Sequence, residues 1–392
     1  MRYVINGGGI AGTTAAEELR KLDADAEIVL VSEEFHPLYS RVLLTPFLIG
    51  KVPRERVFIK KEGWYSEKNI EWLTGVSATA LDAVNQFVVL SDGRELPFDK
   101  LLIATGGDSR VLSDDVRGVS YLRTLDDADH LAQLIQEQGS NAVGVIFGGG
   151  FIACEYLNIF GHFSINTTIA FRGPYFWSKV LQPELGNFIN IYLTNQGVQV
   201  VPEAAFVKAL GEKECTGLET SKGIFSCTIL GVGIGLELED AWMKNAGLRV
   251  NAGIDCDEYL QTNLSNVFVA GDVAHVFDVN IEKHVTVGNW MNAQMQGRVA
   301  AKNMAGEKTV FSLVSSYAIN VLGMEVIFIG NVAREHADEV FVVGVGQKDG
   351  VGQIHTNQGR IIGAVLLNRN TDRPKITKMI QEKALLDLNE FC

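Results

Sequence analysis

The sequence predicts an α/β fold of two doubly wound units, followed by a small α+β domain. Three observations predict it. A glycine-rich turn, NGGGIAG (Asn6–Gly12), follows the apolar run YVIN and opens a helix-prone stretch, TTAAEELRKL. Nearly the same turn returns as FGGGFIACE (Phe147–Glu155), after AVGVIF. From Phe311 the alternation of strand and helix signals gives way to VIFIG, VFVVGVG and RIIGAVLL. These read as antiparallel strands, closed by a helix over KITKMIQEKALLDL.

Taken in order, the spacing Gly7-x-Gly9-x-x-Gly12 is that of a strand, a tight turn and a helix. The first glycine makes the turn, and the second lets backbone approach a pyrophosphate. The third lets the helix pack on the strand. A negative pyrophosphate then rests on the free N–H groups of the helix N-terminus. EIVLVSEE (27–34) is the second strand of this unit. Glu33 lies at its end, 21 positions after Gly12, where a carboxylate accepts hydrogen bonds from an adenosine ribose. FVVLSDGREL (87–96) reads as a hairpin around Asp92-Gly93, and KLLIATGG (100–107) as a buried strand ending in a turn. The second unit runs from AVGVIFGGG through the helix ACEYLNIF to the strand TTIAF (167–171). After GVGIG (231–235) the pattern is mixed, until NVFVAGDVA (266–274) gives another strand entering a glycine turn. The expected domains are therefore 1–110 with 240–310, then 111–239, then 311–392.

Composition narrows the function classes. The chain has 392 residues, 47% hydrophobic, with 40 glycines and 8 prolines, as in soluble proteins of two or three domains. A net charge of -13 argues against nucleic acid or an anionic membrane as the main partner. The apolar stretch 141–161 imitates a membrane span, but its glycines and Glu155 fit a buried strand and helix better. The five cysteines (154, 215, 227, 256 and 392) form no CxxC pair, so neither a disulfide framework nor a metal is expected. The N-terminus enters the first strand without a signal segment, and a reducing cytoplasm is the expected location.

GGGIAG, Glu33, PLYSR, LLIATGG, GGGFIACE and VFVAGDVA occur in this order over almost the whole chain. Together they resemble the flavoprotein pyridine nucleotide oxidoreductases, and the set is far more specific than any one member. The resemblance implies two Rossmann-like, glutathione-reductase-like domains, the first binding FAD and the second NADH or NADPH. PLYSRVLLTPFLIGK, GNWMNAQMQGRVAAKNMAG and FSLVSSYAINVLGMEVIFIG look most like NADH:rubredoxin reductases and the flavin part of assimilatory nitrite reductases.

The resemblance also implies roles. Gly7, Gly9, Ile10, Ala11, Gly12 and Gly271 would line the FAD turns, and Asp272 would bond the ribityl chain. A plain helix N-cap is the other reading of Asp272. Ala104, Thr105 and Gly106 would pass the flavin, and Ala78 would meet adenine through its backbone. Arg41 would offset pyrophosphate charge or sit free on the surface. Trp290 would lie near the flavin's polar edge. Gly148, Gly150, Phe151, Ile152, Arg172 and Gly233 would hold the nicotinamide dinucleotide. Glu155 would position the carboxamide beside flavin N5, and is the one catalytic candidate. Hydride transfer itself needs no protein acid or base; the protein supplies alignment and exclusion of water.

Two departures shape the expected function. No cysteine lies between Met1 and Ala153, whereas many relatives place a redox cysteine just after the ribose-binding glutamate. Cys154 reads as a small buried residue, so electrons should leave the flavin to an outside acceptor. Rubredoxin is favoured, with ferredoxin or a nitrite-reductase module next. A quinone, oxygen or another small molecule is the same-class alternative. A flavin-bound, redox-sensing interaction protein with little turnover is the different-class one, kept open by Phe171 and by GLELED (235–240). The second departure is Phe171 itself, where NADH-preferring relatives usually offer a glutamate, with Arg172 next. On this alignment the two nicotinamide cofactors should differ by about tenfold or less, roughly 1.4 kcal/mol. A glutamate placed at 171 should then favour NADH.

Overall fold

Apolar runs that do not alternate belong in the middle of parallel sheets, where helices cover both faces. RYVIN (2–6), EIVLVS (27–32) and KLLI (100–103) are such runs, and their residues are almost all buried. In the computed structural model they form the centre of a five-stranded parallel sheet. Its order is Val267–Val269, Lys100–Ile103, Arg2–Asn6, Glu27–Ser32, Ile70–Thr74. The structure describes residues 1–112, 116–344 and 350–391, so Cys392 and the end of VFVVGVG lie outside it.

This sheet belongs to the first of two units, made of Met1–Val42, Pro53–Asp108 and Glu237–Leu313. The helix Ile10–Leu22 follows the first strand and packs against a late helix, Trp290–Met304. The approach is so close that a Cβ on Gly297 would lie 2.1 Å from the Ala11 carbonyl oxygen. FVVLSDGREL is a hairpin, with Phe87–Leu90 antiparallel to Glu95–Pro97 and Gly93 at φ +86. One local reading changes. Asp272 caps no helix, because the Gly271 turn leads into the strand Ala274–Asp278. The next helix begins only at Trp290, and Asn289 caps it by accepting from the Asn292 N–H at 2.9 Å.

The second unit comprises Leu43–Val52, Ser109–Leu236 and the residues from Val314 on. Its parallel sheet has the order Gln199–Val201, Asn166–Ala170, Val143–Phe147, Ile229–Val232, Val119–Ser120. The 141–161 stretch is the buried strand Val143–Phe147 and the helix Phe151–His162. Among the described residues no helix is long and apolar enough to cross a membrane.

The C-terminal part of this unit is a five-stranded antiparallel sheet, two strands richer than the sequence suggests. Its order is Ser316–Val321, Met324–Gly330, Arg360–Leu367, Val351–Asn357, Glu339–Val343. Ile327, Ile329, Ile354 and Leu366 on one face meet Ile376 and Ile380 of the closing helix. That helix spans Arg373–Gln381 rather than reaching Leu388. Lys383 adopts φ +52, and the chain turns back so that Ala384 accepts from the Ile361 N–H at 3.1 Å. Edge pairing with the Arg360 strand thus competes with further helix and wins.

Candidate functional site

In the first unit the glycine turn is built by steric need. Gly7 has φ +125, and a Cβ there would lie 2.2 Å from the Ala104 carbonyl oxygen. A Cβ on Gly12 would lie 2.0 Å from the Gly7 oxygen, so helix and turn touch through bare backbone. Gly9 is different, with nothing within 4 Å of such a Cβ. It precedes Ile10 and Ala11 at the start of the helix, which has no side-chain cap and no acid in its first turn. Unclaimed N–H groups facing open space suit an anion. Gly271 brings its turn against Ala11, and its N–H donates to Gln296 Oε1 at 2.7 Å. The buried Asn6 Nδ2 and Gln296 Nε2 have no hydrogen-bond partner among the described residues. A glycine cradle, an uncapped helix and unspent amide donors together fit a bound dinucleotide.

Of the other candidates of this unit, Glu33 and Ala104 follow the carboxyl ends of two of the same sheet's strands. Glu33 is exposed just past its strand. Partial burial, then Asp108, Glu239 and Glu34, raise its carboxyl above the ordinary value. Arg41 is not a free surface cation: it pairs with Glu34 at 2.6 Å and reaches the Tyr39 hydroxyl at 3.1 Å. Burial opposes its charge, but Tyr39, Glu34 and Asp272 hold its pKa above the usual arginine value. Ala78 opens a strand close to the sheet's end, where the Val76 N–H donates to the Ser32 oxygen at 3.3 Å. Ala104 is buried, Thr105 exposed, and Gly106 turns at φ +70. Trp290 is the half-buried first residue of its helix.

The second unit repeats the construction bond for bond. Gly7 N–H donates to Val31 O at 2.9 Å, and Gly148 N–H donates to Ala170 O at 2.9 Å. Ala104 N–H donates to Asn6 O at 2.7 Å, and Gly233 N–H donates to Phe147 O at 2.9 Å. A Cβ on Gly148 would lie 2.1 Å from the Gly233 oxygen, and Ile152 packs against Gly233. Gly150 precedes another helix with no side-chain cap. Phe151 starts it, ringed by Trp177, Tyr317 and Phe328 at centroid distances of 5.2, 5.5 and 5.0 Å. Glu155 follows within the next turn. Burial raises its carboxyl, and a hydrogen bond from the Thr45 hydroxyl works in the opposite direction. Sequence reasoning missed both Thr45 and this aromatic ring.

The repeat fixes the register at the strand end. Asn6 pairs with Val31 and Phe147 with Ala170, so Ser32 matches Phe171 and Glu33 matches Arg172. Packing agrees. A Cβ on Gly8 would lie 2.5 Å from Ser32 Oγ, and one on Gly149 would lie 3.1 Å from the Phe171 ring. Phe171 is only 3% exposed. Within this chain the counterpart of Glu33 is therefore Arg172, one residue beyond the position the sequence singled out.

The four described cysteines are free and buried. Cys154 is fully buried, and burial first, then Glu155, pushes its thiol well above the ordinary value. Cys215 and Cys227 lie 3.7 Å apart, buried in the second unit's core. No cluster of metal-ligating side chains occurs among the described residues.

The family model described as pyridine nucleotide-disulphide oxidoreductase matches residues 1–297. The nitrite reductase [NAD(P)H] of Bacillus subtilis (strain 168) is 25% identical over 99% of this chain, which spans only 48% of that relative's length. The ferredoxin–NAD(+) reductase subunit of the benzene 1,2-dioxygenase system of Pseudomonas putida is 30% identical, over 78% of this chain and 74% of its own. The rubredoxin-NAD(+) reductase of Pseudomonas putida is 28% identical, over 79% and 81%. Among solved structures, the reductase in a covalent putidaredoxin reductase–putidaredoxin complex superposes with a TM-score of 0.91 at 24% identity. It covers 100% of this chain and 95% of that one, and the likeness bears on the fold.

Proposed function

Because the chain belongs to the pyridine nucleotide-disulphide oxidoreductase family, we propose that it is an FAD-dependent NAD(P)H oxidoreductase whose electrons pass to a small iron–sulfur protein. A rubredoxin or a ferredoxin is the acceptor, as the names of its relatives suggest. The observation that carries this reading is the repeated turn, in which Gly148 N–H to Ala170 O matches Gly7 N–H to Val31 O. Two such turns call for two dinucleotides.

On this reading the first unit holds FAD. Gly7, Gly9, Ile10, Ala11 and Gly12 cradle its pyrophosphate, and Glu33 takes the adenosine ribose. Arg41 and Asp272 lie on the phosphate and ribityl side, and Ala78 meets adenine. Ala104, Thr105, Gly106, Gly271 and Trp290 complete the surround. The second unit holds the nicotinamide dinucleotide through Gly148, Gly150, Phe151, Ile152 and Gly233. FAD, when bound, would supply the means of turning two-electron hydride chemistry into single-electron release. The chain's own part is to bind, align and keep water out. Glu155, steadied by Thr45, holds the carboxamide amide group. The buried, high-pKa thiol of Cys154 supports an acceptor outside the chain, since only a thiolate exchanges electrons readily. A reducing cytoplasm suits the four described cysteines, all free.

The test is a purified protein analysed for flavin, then mixed rapidly with NADPH or NADH, then offered rubredoxin, ferredoxin, a quinone and oxygen. One FAD per chain, fast bleaching and fastest reoxidation by an iron–sulfur protein are expected. Bound flavin that no nicotinamide bleaches would overturn the enzyme reading, and fastest reoxidation by a small molecule would overturn the acceptor.

A further inference from the structure

We infer that the second unit selects NADPH over NADH, and that Arg172 is the selecting residue, through its guanidinium and the 2'-phosphate of the adenosine ribose. This rests on the reading of the second unit as the nicotinamide dinucleotide site. The argument is internal to the chain. Two pairs of backbone hydrogen bonds and the strand register superimpose one glycine turn on the other. They put Arg172 at the place that Glu33 takes in the first unit.

The charge at that place is therefore inverted. Glu33 stands among Asp108, Glu239 and Glu34, a setting that accepts ribose hydroxyls and repels a phosphate. Arg172 is exposed and has no hydrogen bond or ion pair among the described residues. Its charge is free to be used by a ligand. Phe171 cannot supply the missing carboxylate function, since its ring is buried under Gly149. The neighbouring acid is Glu203, whose N–H donates to Gly173 O at 2.9 Å. Its carboxylate is paired with Lys222 at 3.4 Å, so it leaves Arg172 unneutralised. A guanidinium matches a phosphate with two parallel N–H donors, whereas it gains little from a neutral hydroxyl pair. NADH thus loses its usual acceptor here, and NADPH gains a cation. The sequence-based expectation of near-equal use gives way, and the chain departs from those relatives named for NAD(+).

The probe pair is adenosine 2',5'-bisphosphate and 5'-AMP, which differ only in the 2'-phosphate. Each is titrated calorimetrically into the flavin-loaded protein and into Arg172→Glu and Arg172→Lys. Flavin reduction by NADPH and NADH is followed in the same proteins. The bisphosphate should bind wild type at least tenfold more tightly than 5'-AMP, with part of the preference kept in Arg172→Lys. Arg172→Glu should lose or reverse the preference at unchanged flavin content and melting temperature, because the side chain is exposed. Equal affinities in wild type, or a preference that survives Arg172→Glu, would overturn the inference. If both cofactors bleach the flavin equally, selectivity alone falls. If neither nucleotide binds and neither cofactor bleaches it, the dinucleotide reading of the second unit falls as well.

Discussion

The Phe171 ring lies 3.1 Å from the point where a side chain on Gly149 would begin. The ring thus supports the second glycine turn from below, as Ser32 does under Gly8 in the first unit. A residue at 171 faces the core, and on the inference drawn above ligand chemistry falls to the residue after it. The substitution Phe171→Glu should consequently leave the nicotinamide preference where it is and destabilise the protein by about 3 kcal/mol or more, as burial of an unpaired carboxylate replaces a packed ring. Urea denaturation of the holoprotein measures the loss. A stable variant with a new NADH preference would show that the side chain reaches solvent instead.

The two turns allow the two cofactors to be separated. Gly7→Ala sets a methyl against the Ala104 oxygen at 2.2 Å and Gly148→Ala sets one against the Gly233 oxygen at 2.1 Å, both at strongly positive φ. Neither clash is with a flexible side chain, so backbone must move. Gly7→Ala should be purified largely without flavin. Gly148→Ala should retain flavin at wild-type stoichiometry and resist bleaching by either nicotinamide. Absorbance spectra before and after NADPH addition decide both outcomes.

Glu155 carries a pH signature. Burial raises its carboxyl, and the Thr45 hydroxyl favours the charged form. Thr45→Val removes that hydrogen bond, so the pH profile of flavin reduction should move to higher pH, and Thr45→Ser should restore it. Because the folded pKa lies above the unfolded one, the stability linked to this group is present below the unfolded value. It is lost as pH rises through the folded value. Glu155→Gln should therefore be more stable than wild type at neutral pH, yet reduce flavin more slowly. Melting temperatures across pH and rapid-mixing rates check the two halves separately.

His355 should make the second unit acid-sensitive. Its ring is fully buried, and burial first, then Arg334, pushes its pKa down to about 4. Below the ordinary histidine range the unfolded chain binds a proton that the folded chain refuses, so stability falls as pH drops from about 6.5 toward 4. The full effect is on the order of 3 kcal/mol. His355→Asn should flatten this part of the pH–stability curve, whatever it costs at neutral pH. An equal acid slope in the variant would assign the loss to other groups.

What the sequence made legible was what the backbone alone demands. Non-alternating runs such as EIVLVS marked strands buried on both faces, and glycines such as Gly7, Gly12 and Gly148 marked turns that no Cβ fits. What stayed hidden depended on partners far along the chain. VGQIHTN reads as too polar for a central strand, yet Gln353 is fully buried. Its Oε1 accepts from the Gln182 N–H at 2.8 Å and its Nε2 donates to Val180 O at 3.0 Å. Periodicity cannot announce a polar residue satisfied in this way. Likewise, the end of TTIAF pointed to Phe171 as the counterpart of Glu33, whereas the pairing of Asn6 with Val31 and of Phe147 with Ala170 gives that position to Arg172.

The first unit's sheet also sets a timetable for synthesis. Its outer strand, Val267–Val269, pairs with Lys100–Ile103, and the helix beside Ile10–Leu22 is Trp290–Met304. On the ribosome, Lys100–Ile103 must wait with one edge unpaired while the Val119–Val232 sheet is translated in full. Such late closure is slow and leaves an edge open to wrong partners. Nascent chains halted before Val267 should accordingly capture no flavin and depend on chaperones, and those halted after Met304 should capture it while still tethered.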